Sequence, residues 1–107
     1  MTNSRAKGAA GEREFANFLK GHGFIEARRG QQFKGGSDSP DVIGLAGVHL
    51  EVKRVEHLRL WDAMEQSKRD ADDNEVPVVV HRSNRRPWVV IMDAEDFLEL
   101  YERAYKS

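Results

Sequence analysis

From Val48 to Arg54 apolar and polar side chains alternate, with Val48, Leu50 and Val52 set against His49, Glu51 and Lys53. A period of two is the pattern of a strand packed on a core along one face and open to water along the other. Glu51 and Lys53 then point to the same open side, roughly 6–7 Å apart, while Val52 points into the core. Upstream, Asp41 begins an apolar run of Val42, Ile43 and Leu45, and Gly44 and Gly47 mark a turn. The pattern predicts adjacent strands at about 41–46 and 48–54, which set Asp41, Glu51 and Lys53 around one point. Two anionic oxygen ligands beside one cation suit a hard divalent metal and a polarised water.

The remaining elements follow from punctuation and periodicity. Residues 4–21 read as a helix, with Ser4 as N-cap, Phe15, Phe18 and Leu19 at helical spacing, and Gly21 and Gly23 at its end. Residues 24–29 read as a short strand, and 30–39 as a glycine- and serine-rich loop. A second helix over 58–73 places Leu60, Trp61, Met64 and Ala71 on one side. Val76 to His81 is a nearly continuous apolar run, as a strand covered on both faces requires. Residues 83–86 form a turn, 88–92 a last strand, and Asp93 caps a helix carrying Phe97, Leu98 and Leu100. Trp61 and Phe97 are assigned to core or interface, and Trp88 to the core. The order αβββαββα fills one domain over residues 1–107 without repeats or linkers.

Bulk properties restrict the function class. Charged residues are 33% and hydrophobic ones 39%, the balance of a folded, soluble chain rather than a disordered one. No apolar run approaches the ~20 residues of a membrane span, and residues 1–7 lack the apolar stretch of a signal peptide. The absence of cysteine excludes thiolate metal sites and fits a reducing cytoplasm. The net charge of −1 alone speaks against a nucleic-acid binder, but residues 1–34 carry seven Lys/Arg against three acids, and 91–107 carry two against five. Such polarity suits phosphate binding on one face, with an ordinary mixed surface as the competing reading.

Placed at 100° steps, Glu12 falls among Gly8, Phe15, Ala16 and Leu19 on the apolar face of the first helix, and Glu14 on the opposite side. A carboxylate facing a core needs compensation from a metal ion or a basic partner; a salt bridge to an arginine is the plain alternative.

Pro40-Asp41, then Glu51-Val52-Lys53, with Glu12 on the first helix, resembles the PD-(D/E)xK nuclease superfamily, in particular its archaeal-type Holliday junction resolvases. The resemblance covers roughly residues 5–100. It implies an α/β fold with a restriction-endonuclease-like αβββαβ core, a mixed central sheet flanked by helices, and here an extra C-terminal strand and helix. It implies a Mg2+-dependent endonuclease, with Mn2+ substituting, that hydrolyses phosphodiester bonds in branched DNA such as four-way junctions. The implied catalytic residues are Glu12, Asp41, Glu51 and Lys53, with Asp41, Glu51, the Val52 carbonyl and Glu12 holding the metal. Lys53 would orient the water and stabilise the anionic transition state.

Within the same resemblance, Ser37 or Ser39 contacts the scissile phosphate region, against the reading of a plain flexible connection. Arg28, Arg29, Gln31, Gln32 and Lys34 meet backbone phosphates, and Arg54, Arg82, Asn84 and Arg85 join the DNA-binding set. Phosphate contacts of this kind give affinity without sequence information. Arg82 to Arg86 could equally be a solvated hairpin tip. Gln66 matches a helix-borne glutamine of some members, although the helical wheel turns it away from the apolar stripe and Lys68 is its rival. The resemblance also implies a homodimer, acting in the cytoplasm of a bacterial or phage-infected cell. His49 is taken as an exposed strand residue, and His22, His49, His57 and His81 show no zinc-ligand spacing. Two functional alternatives stand beside this reading: a VRR-type nicking or flap nuclease with the same site, and a non-catalytic nucleic-acid-binding module on the same fold.

Overall fold

The computed structural model describes residues 4–30 and 41–106. Gln31, Gln32, Lys34, Ser37 and Ser39 lie outside the described residues.

Eight elements follow in the expected order: α1 (Ser4–Gly21), β1 (Arg28–Arg29), β2 (Val42–Ile43), β3 (Val48–Arg54), α2 (Leu60–Asp70), β4 (Val76–Arg82), β5 (Val89–Ile91) and α3 (Ala94–Tyr105). The strands form one mixed sheet in the order β1-β2-β3-β4-β5. β3 and β4 run parallel, in register from Val48↔Val76 to Arg54↔Arg82, and the other neighbours pair antiparallel. A parallel pair needs a crossover, which α2 supplies. The αβββαβ core and the extra C-terminal strand and helix are both present.

α1 and α2 contribute to cores on opposite sides of the sheet. Phe15, Ala16 and Leu19 of α1 pack on Val42, Leu50, Val52, Val78 and Val80. Ala63 and Met64 of α2 pack on Val79. β4 is therefore covered on both faces, which is why its valines run without alternation. β3 lies beside it under the same two helices, and this corrects the expectation of an open polar face. His49 is 0% and Glu51 2% exposed.

Three other expectations are corrected. Phe24 and Ile25 belong to a turn, because α1 closes with Gly23 at φ 98°, the Gly23 N–H on the Lys20 carbonyl and the Phe24 N–H on that of Leu19. This is a Schellman closure, and it leaves β1 only two residues. β2 likewise ends at Ile43, since Gly44 at φ 128° turns the chain against Ala27. α2 buries Ala63, Met64, Ser67 and Asp70, while Leu60 and Trp61 face outward, Trp61 at 72%. Ala63 and Ser67 let the helix lie close to the sheet, and of the expected apolar stripe only Met64 is fully buried. Phe97 is 55% exposed, which leaves the interface half of its core-or-interface assignment. Trp88 does pack against the α1 core, edge-on to Phe15 with ring centroids 4.9 Å apart.

Gly11 sets the distance between α1 and the site strand. A Cβ there would fall 2.7 Å from Arg54 Cβ, whereas one at Gly8 would meet nothing within 4 Å. Gly11→Val is expected to lift α1 from β3, lowering unfolding free energy by about 1–3 kcal/mol. Gly8→Ala should raise it by up to about 1 kcal/mol through helix propensity. Urea unfolding of both variants checks the contrast.

Candidate active site

Antiparallel pairing of Val42 with Leu50 brings the first residue before β2 against the middle of β3. The Asp41 N–H donates to the Leu50 carbonyl at 2.9 Å, and Asp41 Oδ2 accepts the Val52 N–H at 2.8 Å. The atom of Val52 that meets Asp41 is thus its N–H. Its carbonyl belongs to the same strand segment.

Asp41 and Glu51 touch through their carboxyl groups, and neither has the charge balance of a surface acid. Burial, then the negative charge of Asp41, push Glu51 from an ordinary 4.5 to about 8, against the opposing pull of Lys53. Burial also raises Asp41, opposed by the Val52 N–H. The physical content is one proton shared by two carboxyls that cannot both ionise at close range without a cation. Glu12 converges on them from α1. Its carboxyl is raised mainly by burial, with the Asp41 charge adding and Arg29 opposing. Arg29 Nε donates to Glu12 Oε1 at 2.9 Å, so the arginine partner weighed for Glu12 exists. Only one of the guanidinium's five N–H groups is used there, and Arg29 remains 43% exposed along its side chain.

Lys53 completes the group. Its Nζ lies 4.0 Å from Glu51 Oε2 and donates to Gln66 Oε1 at 3.2 Å. Gln66 of α2 therefore faces the site, contrary to the helical-wheel expectation, because the inner face of α2 is turned toward Ser67 and Asp70. Its rival Lys68 points elsewhere, to Asp93 Oδ2 at 2.8 Å. A cavity of about 240 Å³ opens beside Lys53 and Gln66, lined also by His57, Arg59 and Asp62.

The basic turn is tied to the protein itself. Glu14, expected on the outer side of α1, accepts Arg54 Nε at 3.1 Å and Arg82 Nη1 at 2.6 Å. Arg54 Nη2 also donates to Asn84 Oδ1 at 3.1 Å. Arg28 and Arg85 are exposed, with Arg85 at φ 65°.

Sequence reasoning missed the layer beneath. His49 Nε2 stands 3.6 Å from Glu51 Oε1, and Nδ1 stands 3.7 Å from Glu75 Oε1. Asp70, at the end of α2, joins His49 and Glu51 in a buried group whose ligating atoms lie within 4.8 Å of one another. Neighbouring Ser67 donates to the Val78 carbonyl at 3.0 Å. The legible signal was the spacing of Ala63, Ser67 and Asp70 along one helix face, a stripe of small and polar residues rather than large apolar ones.

Three carboxylates and one lysine converging on the central strand β3 can hold a divalent cation and present a positive charge beside it. Comparison with known proteins gives a concordant result: a family model described as archaeal Holliday junction resolvase matches residues 3–104. Neither a curated protein nor a solved structure matches the chain.

Proposed function

Because this chain belongs to the archaeal Holliday junction resolvase family, a PD-(D/E)xK nuclease family, we propose that it is a metal-dependent endonuclease cutting branched DNA at the Asp41–Glu51–Lys53 site. The observation that carries this reading is the arrangement itself: Asp41 fixed at 2.8 Å by the Val52 N–H, and buried Glu51 with Lys53 Nζ 4.0 Å away. Donors of this kind fit Mg2+, with Mn2+ as a substitute, because both ions favour carboxylate and carbonyl oxygens. Asp41, Glu51 and the Val52 carbonyl would hold the ion, with Glu12 binding directly or through water. A bound divalent ion acidifies water and neutralises phosphate oxygens.

The side chains around it divide the remaining work. Lys53, held by Gln66, offers its ammonium to the oxygens on which negative charge develops. Asp41 is fixed by the Val52 N–H, so its free oxygen keeps a constant direction. Arg29 restrains Glu12 and keeps N–H groups for a backbone phosphate. The cavity beside Lys53, with Arg59 and His57 on its wall, is where a phosphodiester backbone would approach. Arg28, Arg29 and Arg85 are further phosphate contacts, and Arg54, Arg82 and Asn84 hold the turn that carries Arg85.

A four-way junction has two strands to cut symmetrically, and a two-fold dimer supplies two such sites. α3 buries no residue and leaves Phe97, Leu98, Tyr101 and Tyr105 exposed, and Val89 and Val90 of edge strand β5 are exposed as well. A second copy covering α3 and the β5 edge would bury this apolar surface and pair the open strand. Leu98→Glu is then expected to shift the protein from dimer to monomer in sedimentation, and to convert paired nicks into single ones.

The substrate is tested by mapping Mg2+-dependent nicks on a four-way junction, a flap and a nicked duplex. Symmetric paired nicks near the branch point support a resolvase. Flap removal or isolated nicks on all three would transfer the site to a nicking or flap nuclease.

A further inference from the structure

We infer that His49, Asp70 and Glu51 form a second cation site, suited to a transition-metal ion such as Mn2+, Co2+ or Zn2+ rather than to Mg2+. Two independent observations converge on it. The first is geometric: one ligating atom from each residue lies within 4.8 Å of the others, and all three residues are buried. Donors around one ion at about 2.1 Å stand about 3–4 Å apart, so small rotamer adjustments close the site. The second is an unmet demand. His49 is fully buried, yet neither ring nitrogen makes a hydrogen bond, its nearest carboxylate oxygens standing at 3.6 and 3.7 Å. A buried imidazole without partners is costly, and buried carboxylates beside it are costlier still. One metal ion satisfies all three.

The surroundings are those of a metal-bound histidine. With Nε2 facing Glu51, the other nitrogen, Nδ1, faces Glu75 Oε1. A carboxylate on the far nitrogen is how a ligating imidazole is usually oriented and made more basic. Glu75 is itself held, accepting the Asp72 N–H at 2.9 Å. It also lines an open cavity of about 370 Å³ along Ile43 to Val48. The imidazole nitrogen sets the preference, since Mg2+ seeks oxygen donors in an octahedron while Mn2+, Co2+ and Zn2+ accept nitrogen. Glu51 is shared with the Asp41 pair, so the two ions would be bridged by one carboxylate. The site depends on the nuclease reading only through that shared ligand.

The test uses the full-length metal-free protein without DNA, at pH 7.5, titrated with Co2+ and separately with Mg2+ by calorimetry. His49→Gln and Asp70→Asn are each expected to weaken Co2+ binding at least about tenfold while changing Mg2+ binding less than twofold. Co2+ affinity within twofold of wild type in both variants, each folded by circular dichroism, would overturn the inference. A second measurement needs no variant: anomalous diffraction from Co2+-soaked wild-type crystals. A peak between His49 and Asp70 supports the site, and a single peak beside Asp41 overturns it. Both readouts are independent of cleavage, so an inactive protein with a Co2+ peak at His49 would end the nuclease reading alone.

Discussion

Glu51→Gln is expected to abolish cleavage, by at least about a thousandfold, while making the metal-free protein more stable at alkaline pH. The first half follows from removing a charged ligand of the proposed ion, whose electrostatic contribution amounts to several kcal/mol. The second half follows from linkage. Glu51 holds its proton up to about pH 8 in the folded chain, against an ordinary value of 4.5. Between those values the folded state binds a proton that the unfolded state has released, so stability falls as pH rises. The full effect, at 1.36 kcal/mol for each pKa unit, is at most about 5 kcal/mol, and the shared proton with Asp41 makes it smaller.

Metal-free wild type should therefore lose roughly 10 °C of Tm between pH 5 and pH 8.5, on the scale of about 4–8 °C per kcal/mol for a domain of this size. The glutamine variant should lose much less, because its amide can donate to Asp41 without titrating. Adding Mg2+ at pH 8.5 should restore wild-type stability, since the ion takes the place of the proton. Differential scanning calorimetry at four pH values, with and without Mg2+, reads all three outcomes. A wild-type Tm rising from pH 5 to 8.5 without metal would contradict the shared-proton description.

Lys53→Met is the second large effect. Its ammonium is the one lysine or arginine nitrogen within 4.0 Å of Glu51 among the described residues, and it donates to Gln66. A donor acting on charge that develops only in the transition state contributes to turnover more than to binding. Single-turnover cleavage is expected to fall by about 10²–10³-fold, with junction affinity in Ca2+ changed less than about threefold. Gln66→Ala should lose about tenfold, because Lys53 keeps its charge but not its direction. Equal losses in affinity and rate for Lys53→Met would assign the lysine to phosphate binding instead.

Strand alternation located β3 because its polar residues, His49, Glu51 and Lys53, fall at every second position, and it brought Asp41, Glu51 and Lys53 to one side. The helical wheel likewise turned Glu12 toward the interior. What alternation cannot tell is whether the second face of a strand is wet or covered. α2 lies over that face, and its inner side is built from Ala63, Ser67 and Asp70 rather than from Leu60 and Trp61. For the same reason the sequence pattern points Gln66 away from the site and His49 to solvent. The Glu14 bridge to Arg54 and Arg82 joins residues 40 and 68 positions apart, a pairing no local pattern encodes.

The claim that carries the whole account is that Asp41, Glu51 and Lys53 form a metal-dependent nuclease site. It is tested most directly by incubating an end-labelled four-way junction with wild type, Glu51→Gln and Lys53→Met, first in EDTA and then in Mg2+. The account predicts intact DNA in EDTA, paired nicks from wild type on adding Mg2+, and a loss of at least about a hundredfold in both variants. Cleavage in EDTA, or equal cleavage by the three proteins, would contradict it.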